Sequence, residues 1–318
     1  MIKKFMKVFC LAAVVGVLGF SSVAFADEVE EADETAEVDE TIQEGYTVEG
    51  EGFTSVVTWC KNEEGDRNIY GKFYFPEDYV EGQTYPTVIM SHGLGSKAEM
   101  VERAQWPQSM LAEGYVVYAF DFCGGGMNSN SDLDYLEMSV KTEISDLNAV
   151  MDFVESQSFV DKENLFLLGQ SQGGVVTALT AATRPEEVKA MVLVYPALCL
   201  VDDLHEYIPD INEVTEDTVA TAMGTLGAVY ARDAYDIDIM KEISGYTGDV
   251  MIIHGLEDKV VPYTYSLEAI TTAFPESASE LVLITGEKSA HGFEMIYDEG
   301  RQYAQDAGVD FLNAHLNP

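Results

Sequence analysis

The sequence predicts an α/β protein: a mostly parallel sheet of eight strands with helices on both faces and a helical insertion late in the chain. Three observations predict it. After Pro76, compact apolar runs of strand length alternate with longer stretches of helical period. The runs are apolar at nearly every position, as in strands covered on both faces, rather than at every second one. Finally, the interval from Ala197 to Gly248 is about fifty residues long where a crossover between parallel strands needs a dozen or more, so a separate structure is inserted there.

Residues 1–26 read as an export signal. Lys3, Lys4 and Lys7 form a positive start, Val8 to Phe20 an apolar stretch, and Ala24-Phe25-Ala26 a small-residue cleavage site. The stretch is short for a bilayer span and is followed by acids rather than by a stop-transfer cluster. Cleavage after Ala26 is therefore expected over a retained anchor, giving a secreted or cell-surface protein. Cys10 lacks the small residues of a lipoprotein box. Residues 27–51 carry twelve acids and no base, the composition of a disordered acidic spacer, without the spaced D-x-D-x-D-G loop of a calcium site.

The remaining residues, 52–318, are expected to form one domain. It opens with a hairpin, Phe53 to Cys60 and Ile69 to Phe75, around the turn residues Asn62 to Asp66. Six further strands are expected at Thr87 to Met90, Tyr115 to Phe120, Leu165 to Leu168, Ala190 to Tyr195, Val250 to Ile253 and Leu281 to Ile284. Helices are expected at Glu99 to Glu113, Leu136 to Ser156, Gly173 to Thr183 and Gly300 to Leu316. Within the insertion, 197–248, apolar residues such as Val214, Val219, Leu226, Ile239 and Ile243 without a strong β run predict short helices.

Composition excludes several functions. With 17 Lys+Arg against 56 Asp+Glu among 318 residues the formal charge is −39, and no basic face exists to neutralise phosphates. Nucleic acid is excluded as a partner, an electrostatic membrane anchor is disfavoured, and no stable membrane insertion is expected once the signal is removed. A hydrophobic content of 47% is enough to build a large core, which excludes disorder of the whole chain. Cys60, Cys123 and Cys199 follow the signal. Their odd count and the lack of C-x-x-C spacing argue against zinc, and each is read as a small buried hydrophobe.

The chemistry centres on Gly169-Gln170-Ser171-Gln172-Gly173, between a strand run and a helical stretch. A serine projecting from a sharp strand-to-helix turn crowds the residues two positions away on either side, so both must be glycine. Its hydroxyl needs a base, usually a histidine oriented by a carboxylate. His92 and His254 each follow a strand and precede glycine, which reads as turn geometry; His315 sits in the last helix and His205 in the insertion. His291, on the loop after the last strand, is the best base. The carboxylate is expected between nucleophile and base in chain order, at Asp258, which opens the turn Asp258-Lys259-Val260-Val261-Pro262, with Glu257 as the alternative. An oxyanion would be held by the backbone N–H groups of Gln172 and Leu94, the latter in His92-Gly93-Leu94-Gly95-Ser96, unless that loop is a plain structural turn. Asp121 to Gly126 is glycine-rich but lacks the features of a nucleotide loop and is expected to form a tight turn at the rim of the site.

Taken together, H-G-L-G-S, G-Q-S-Q-G-G, H-G-L-E-D-K-V-V-P and A-H-G-F resemble, in this order, the α/β-hydrolase superfamily over roughly Arg67 to Leu316. Within it the chain is most similar to bacterial cinnamoyl/feruloyl esterases and to their serine-aminopeptidase-like and acylglycerol-lipase-like relatives. The resemblance implies the α/β-hydrolase fold, with the insertion capping the active site and shaping the acyl pocket. One departure stands out: where these families often have D-x-x-G-H-G-x-S, this chain has Gly125 at the histidine position and a longer tail, Met127 to Asp132. The expected reaction is attack of Ser171 on an ester carbonyl, with His291 taking its proton, Asp258 stabilising the imidazolium, and water resolving the acyl-enzyme. It needs no metal and no organic cofactor. The expected partner is a small ester, and the acidic body favours a neutral one. The alternatives are an exopeptidase that holds an amino terminus with Asp202, Asp203, Glu206 and Asp210, or a catalytically silent binding module. Tyr207, Tyr230 and Tyr235 could line the pocket or pack the cap onto the body.

Overall fold

The computed structural model of the protein describes residues 47–50, 53–275 and 278–317. The expected export signal and residues 27–46 and 51 of the expected spacer lie outside the described residues. Among the described residues no helix is long and apolar enough to cross a membrane.

The eight expected strands are all present, and a ninth precedes them. In chain order the strands are β1 (Thr47–Gly50), β2 (Phe53–Lys61), β3 (Asn68–Pro76), β4 (Tyr85–Ser91), β5 (Val116–Phe120), β6 (Val160–Gln170), β7 (Ala190–Val194), β8 (Thr218–Thr221), β9 (Gly224–Gly227), β10 (Asp249–Gly255) and β11 (Glu280–Ile284). The main sheet runs β1-β2-β3-β5-β4-β6-β7-β10-β11, antiparallel from β1 to β5 and parallel from β5 onward. The extra strand, β1, pairs with β2 along the edge. It belongs to the segment read as spacer, whose last residues, Thr47-Val48, include a β-branched pair that the surrounding acids mask.

The parallel strands are apolar throughout because they feed two cores. Ile89, Leu165, Leu167, Met191, Leu193 and Ile252 pack on one side of the sheet. Their neighbours Val88, Met90, Phe166, Leu168, Val192 and Ile253 pack on the other, since successive side chains point to opposite faces. Helices α1 (Ala98–Arg103), α2 (Trp106–Leu111) and α10 (Asp298–Ala314) contribute to the second core; α3 (Val140–Glu155), α4 (Gln172–Thr183) and the insertion contribute to the first.

The single helix expected over Glu99 to Glu113 is two. Gln105 takes a left-handed φ of 61°, and Pro107 sits in the first turn of α2, where its missing N–H is tolerated but could not continue a helix from α1. Gln305 of α10 donates to the freed Ala104 carbonyl at 2.6 Å. The helix expected from Leu136 begins later, because Ser139 forms a capping box with Thr142 that fixes the start of α3.

The insertion holds α5 (Leu200–Tyr207), a 3-10 turn at Ile211–Glu213, α6 (Ala228–Ala234) and α7 (Ile239–Ile243), in keeping with short helices. It also holds a hairpin, β8 and β9, that the periodicity did not predict. With four residues per strand and only Val219, Leu226 and Gly227 buried, the alternation is too brief to register; Gly224, at φ +108°, was the available turn signal. After β10 the chain forms α8 (Tyr263–Glu268), a π-helical turn at Ala269–Ala273 and, past β11, α9 (Phe293–Ile296).

Candidate active site

β6 lies in the middle of the sheet, and its C-terminal end delivers Ser171 between strand and α4. Ser171 adopts φ 52°, ψ −120°, a conformation costly for a residue with a Cβ and held by its surroundings. Its amide donates to Val194 O at 3.0 Å, and its carbonyl accepts from the amides of Gly174 and Ala197, each at 3.0 Å. The flanking glycines are required by contact as well as by the turn. A Cβ on Gly169 would meet Gly173 O and Thr177 Oγ1, and one on Gly173 would run into the carbonyls of Ser91 and His92. Both neighbours of Gly173 are backbone and cannot swing away. Gly173→Ala is therefore expected to destabilise the fold by at least about 2 kcal/mol, measured by chemical denaturation; wild-type stability would contradict this packing.

The structure brings Ser171, His291 and Asp258 into one hydrogen-bonded line. His291 Nε2 lies 3.1 Å from Ser171 Oγ, and His291 Nδ1 lies 2.7 Å from Asp258 Oδ2. The Asp258 carboxylate is fully covered, whereas His291 stays partly open to the cleft. Burial alone would raise the Asp258 pKa. Hydrogen bonds from His254 and His291, the charge of His291 and the Val261 amide outweigh it and hold the carboxyl well below the usual range, so it stays ionised. Asp258 Oδ1 accepts from the amides of Val260 and Val261, both at 2.9 Å. Glu257, the alternative, is exposed and only its backbone amide is engaged, with Ser289 Oγ at 3.2 Å. Ser289 Oγ also donates to Gly286 O at 2.7 Å, and the hydrogen bond it accepts from the Glu257 amide fastens the loop of Asp258 to that of His291.

The four other histidines are accounted for by structure. His254 is buried, with Nε2 2.9 Å from Val261 O and Nδ1 2.7 Å from Ser266 Oγ, and it steadies the turn that carries Asp258. His92 accepts from the Phe122 amide through Nε2 at 3.0 Å, so Nδ1 carries the proton and donates to Gly93 O at 2.8 Å. Burial lowers its pKa, which keeps this tautomer neutral. His205 packs on Tyr235, and His315 pairs with Asp249 at 2.8 Å.

The His92–Ser96 loop sits against Ser171: a Cβ on Gly93 would lie 3.1 Å from Ser171 Cβ. The Gly95 amide is bonded to Gly125 O at 2.8 Å and the Ser96 amide to Gly93 O at 3.2 Å. Leu94 and Gln172, the expected oxyanion donors, line the same cleft as Ser171. Gln172 begins α4, where an amide has no partner within the helix and the dipole favours negative charge. The 121–126 loop packs directly on this assembly, anchored by Asp121, whose carboxylate accepts from the amides of Ala98 and Asn130, each at 2.8 Å. A Cβ on Gly125 would lie 2.7 Å from the His92 ring and one on Gly126 2.5 Å from Ser96 O. Position 125 is thus closed to a side chain by the ring of His92.

The cleft holds about 570 Å³ of open space, mouth included. Leu94 and Val261 of the body and Leu200, Leu204, Met223 and Leu226 of the insertion make its walls apolar. Tyr207 and Tyr230 line it; Tyr235 instead donates to the carbonyls of Ile208 and Pro209 and serves packing. Of the four acids considered as an amino-terminus cluster, only Asp203 lines the cleft. Asp202 accepts from the Tyr265 hydroxyl at 2.6 Å, Asp210 caps the 3-10 turn, and Glu206 is exposed.

Two polar groups near Ser171 escaped the sequence reading. Gln172 Nε2 donates to Glu143 Oε2 at 2.7 Å, while Gln172 Oε1 accepts from the Tyr230 hydroxyl at 2.6 Å, so α3, α4 and the insertion meet at the residue after Ser171. Burial pushes the Glu143 carboxyl up to about 8. Glu143 shares a stripe with Val140, Leu147, Val150 and Val154, and an acid on the apolar face of a helix was the signal that could have found it. The second group is Glu294, next to the base loop. Cys60, Cys123 and Cys199 are unpaired; Cys123 and Cys199 are buried, the latter donating to Asp203 in the cleft wall, and Cys60 is partly covered.

Comparisons with known proteins agree with this fold. The chain is similar to Est1E of Butyrivibrio proteoclasticus, solved with ferulic acid bound, at 22% identity and a TM-score of 0.69 over 81% of this chain and 98% of that one. It is 26% identical over 135 residues to the uncharacterized protein YcjY of Escherichia coli, covering 42% of this chain and 43% of that protein. It is 28% identical over 115 residues to putative esterase/lipase 2 of Mycoplasma genitalium, covering 34% and 37%. The chain thus spans less than half the length of either curated relative. The family model described as the prolyl oligopeptidase family matches residues 102–318, most of the chain and all of the Ser171, Asp258 and His291 set, though not Leu94. The chain belongs to the prolyl oligopeptidase family, a hydrolase family built on the α/β-hydrolase fold.

Proposed function

We propose that the protein is a serine carboxylic ester hydrolase acting on small, neutral esters. The observation that carries this reading is the Ser171–His291–Asp258 line of hydrogen bonds, at 3.1 and 2.7 Å, opening into an apolar cleft. Ser171 attacks the ester carbonyl as His291 Nε2 takes the hydroxyl proton. Asp258 stays ionised and stabilises the imidazolium. The Leu94 and Gln172 amides take the oxyanion; His291 returns the proton to the leaving alcohol, and water releases the acyl group by the reverse steps. The small-residue cleavage site and short apolar stretch of residues 1–26 support secretion.

An ester is favoured over an amino-terminal peptide because the acids that would hold an ammonium are dispersed, with Asp203 alone in the cleft wall. Turnover of methyl ferulate, p-nitrophenyl butyrate and an aminoacyl p-nitroanilide tests this. The two esters are expected to exceed the amide by at least about 100-fold in kcat/KM, a difference of nearly 3 kcal/mol. Preference for the amide would replace the esterase reading with an exopeptidase one. Failure of a fluorophosphonate to label Ser171 stoichiometrically would favour a silent binding module.

A further inference from the structure

Glu294 is fully buried in the first turn of α9, on the loop that carries His291. Its Oε1 accepts from Gln170 Nε2 at 2.8 Å and from the Tyr195 hydroxyl, while its Oε2 is buried among the described residues without a partner. Both partners lie against the candidate machinery. Gln170 ends β6, directly before Ser171. Tyr195 follows β7 with a left-handed φ of 38°, and its ring centroid lies 4.4 Å from that of His291, tilted by 54°. A tyrosine in that backbone conformation is strained and persists only where its surroundings dictate it. Here the Ile253 carbonyl takes its amide at 2.7 Å and Glu294 takes its hydroxyl.

We propose that Glu294 is a positioning residue for His291: through Tyr195 it fixes the orientation of the imidazole and the charge it faces, and through Gln170 it ties that ring to the turn bearing Ser171. The inference rests on the triad reading above. A buried carboxyl with one unpartnered oxygen is costly to keep ionised, and burial pushes Glu294 up to about 7, where a working base operates. Ionised, it adds a second negative charge beside the imidazolium that forms when His291 takes the Ser171 proton; protonated, it withdraws that charge. The groups facing this cluster are Tyr195 from the end of β7, Gln170 from β6, His291 on its own loop and Asp258 across the His291 ring. Arg301 of α10 reaches the Glu294 backbone carbonyl at 3.4 Å and pairs with Asp298.

The test is the pH profile of kcat/KM for p-nitrophenyl butyrate in wild type and Glu294→Gln, a change that keeps an acceptor for Tyr195 and Gln170 but cannot ionise. Removing the charge is expected to move the acid limb to lower pH by roughly half a unit or more, and to lower kcat several-fold with KM nearly unchanged. A purely structural role would scale the rates and leave the profile in place, and superimposable profiles would overturn the proposal. If Glu294→Gln does not fold, Tyr195→Phe, which keeps the ring and loses the hydroxyl, is expected to give the same direction of shift, and an unshifted profile overturns the proposal equally. Fluorophosphonate labelling of wild-type Ser171 separates the two readings: without labelling the triad fails, whereas labelling with unshifted profiles removes only the role of Glu294.

Discussion

Ser171→Ala is expected to lower kcat on short p-nitrophenyl esters by roughly 10³- to 10⁶-fold while KM changes little, and His291→Ala is expected to do nearly the same. The reason is geometric. Ser171 Oγ is the hydroxyl placed 3.1 Å from His291 Nε2, and the ionised Asp258 leaves Nδ1 as the donor, so Nε2 is the nitrogen free to take a proton. Because the residues act as one unit, the double variant should be little worse than either single one. Alanine at 171 keeps the same backbone demand as serine, so loss of rate should come without loss of fold. Steady-state assays alongside thermal denaturation decide it: a Ser171→Ala protein that retains near-wild-type turnover would remove Ser171 from the mechanism.

The second large effect is on stability. With its carboxyl pushed up to about 8, Glu143 holds its proton in the folded protein under conditions where the unfolded chain has released it. The unfolded state therefore binds fewer protons between pH 4.5 and 8, and the folded state loses stability as pH rises through that window, levelling off above it. At about 1.4 kcal/mol per unit of displacement, the loss is on the order of 5 kcal/mol. Glu143→Gln imitates the neutral acid: its carbonyl can accept from Gln172 and its amide cannot ionise. The variant should show much less of this decline in urea denaturation at pH 5 and pH 8.5. Repulsion among the many acids also varies with pH, so the readout is the difference between the two proteins; an equal decline in both would show that Glu143 is not the proton carrier.

What the sequence made legible follows from how local each signal is. The strands could be read because each is apolar at consecutive positions, which two cores impose. The elbow could be read because the glycines at 169 and 173 answer to contacts within a few residues or with one neighbouring loop. That His291 and Asp258 would lie together could be expected from chain order and from their places on loops after strands. The helix break at Gln105 was less visible, although Pro107 announced it, because the apolar period runs through both halves. The buried acids were least legible. In a chain with 56 acidic residues, Glu143 and Glu294 look like any solvated carboxylate until their partners, distant in sequence, are in place. Tyr195 and the partner of Tyr230 were hidden for the same reason, since nothing in a local window reveals which carboxyl or amide a tyrosine hydroxyl will meet.

The meeting of Tyr230, Gln172 and Glu143 bears on how this scaffold could be re-engineered. The insertion looks like a detachable module, and exchanging it between relatives is an obvious route to new substrate preferences. Here, however, one of its side chains completes the hydrogen bonding of Gln172, the residue after Ser171. A graft without a hydroxyl at that place leaves the Gln172 carbonyl unsatisfied beside a buried carboxyl. Tyr230, Gln172 and Glu143 are therefore one unit of inheritance, to be transplanted together or redesigned together.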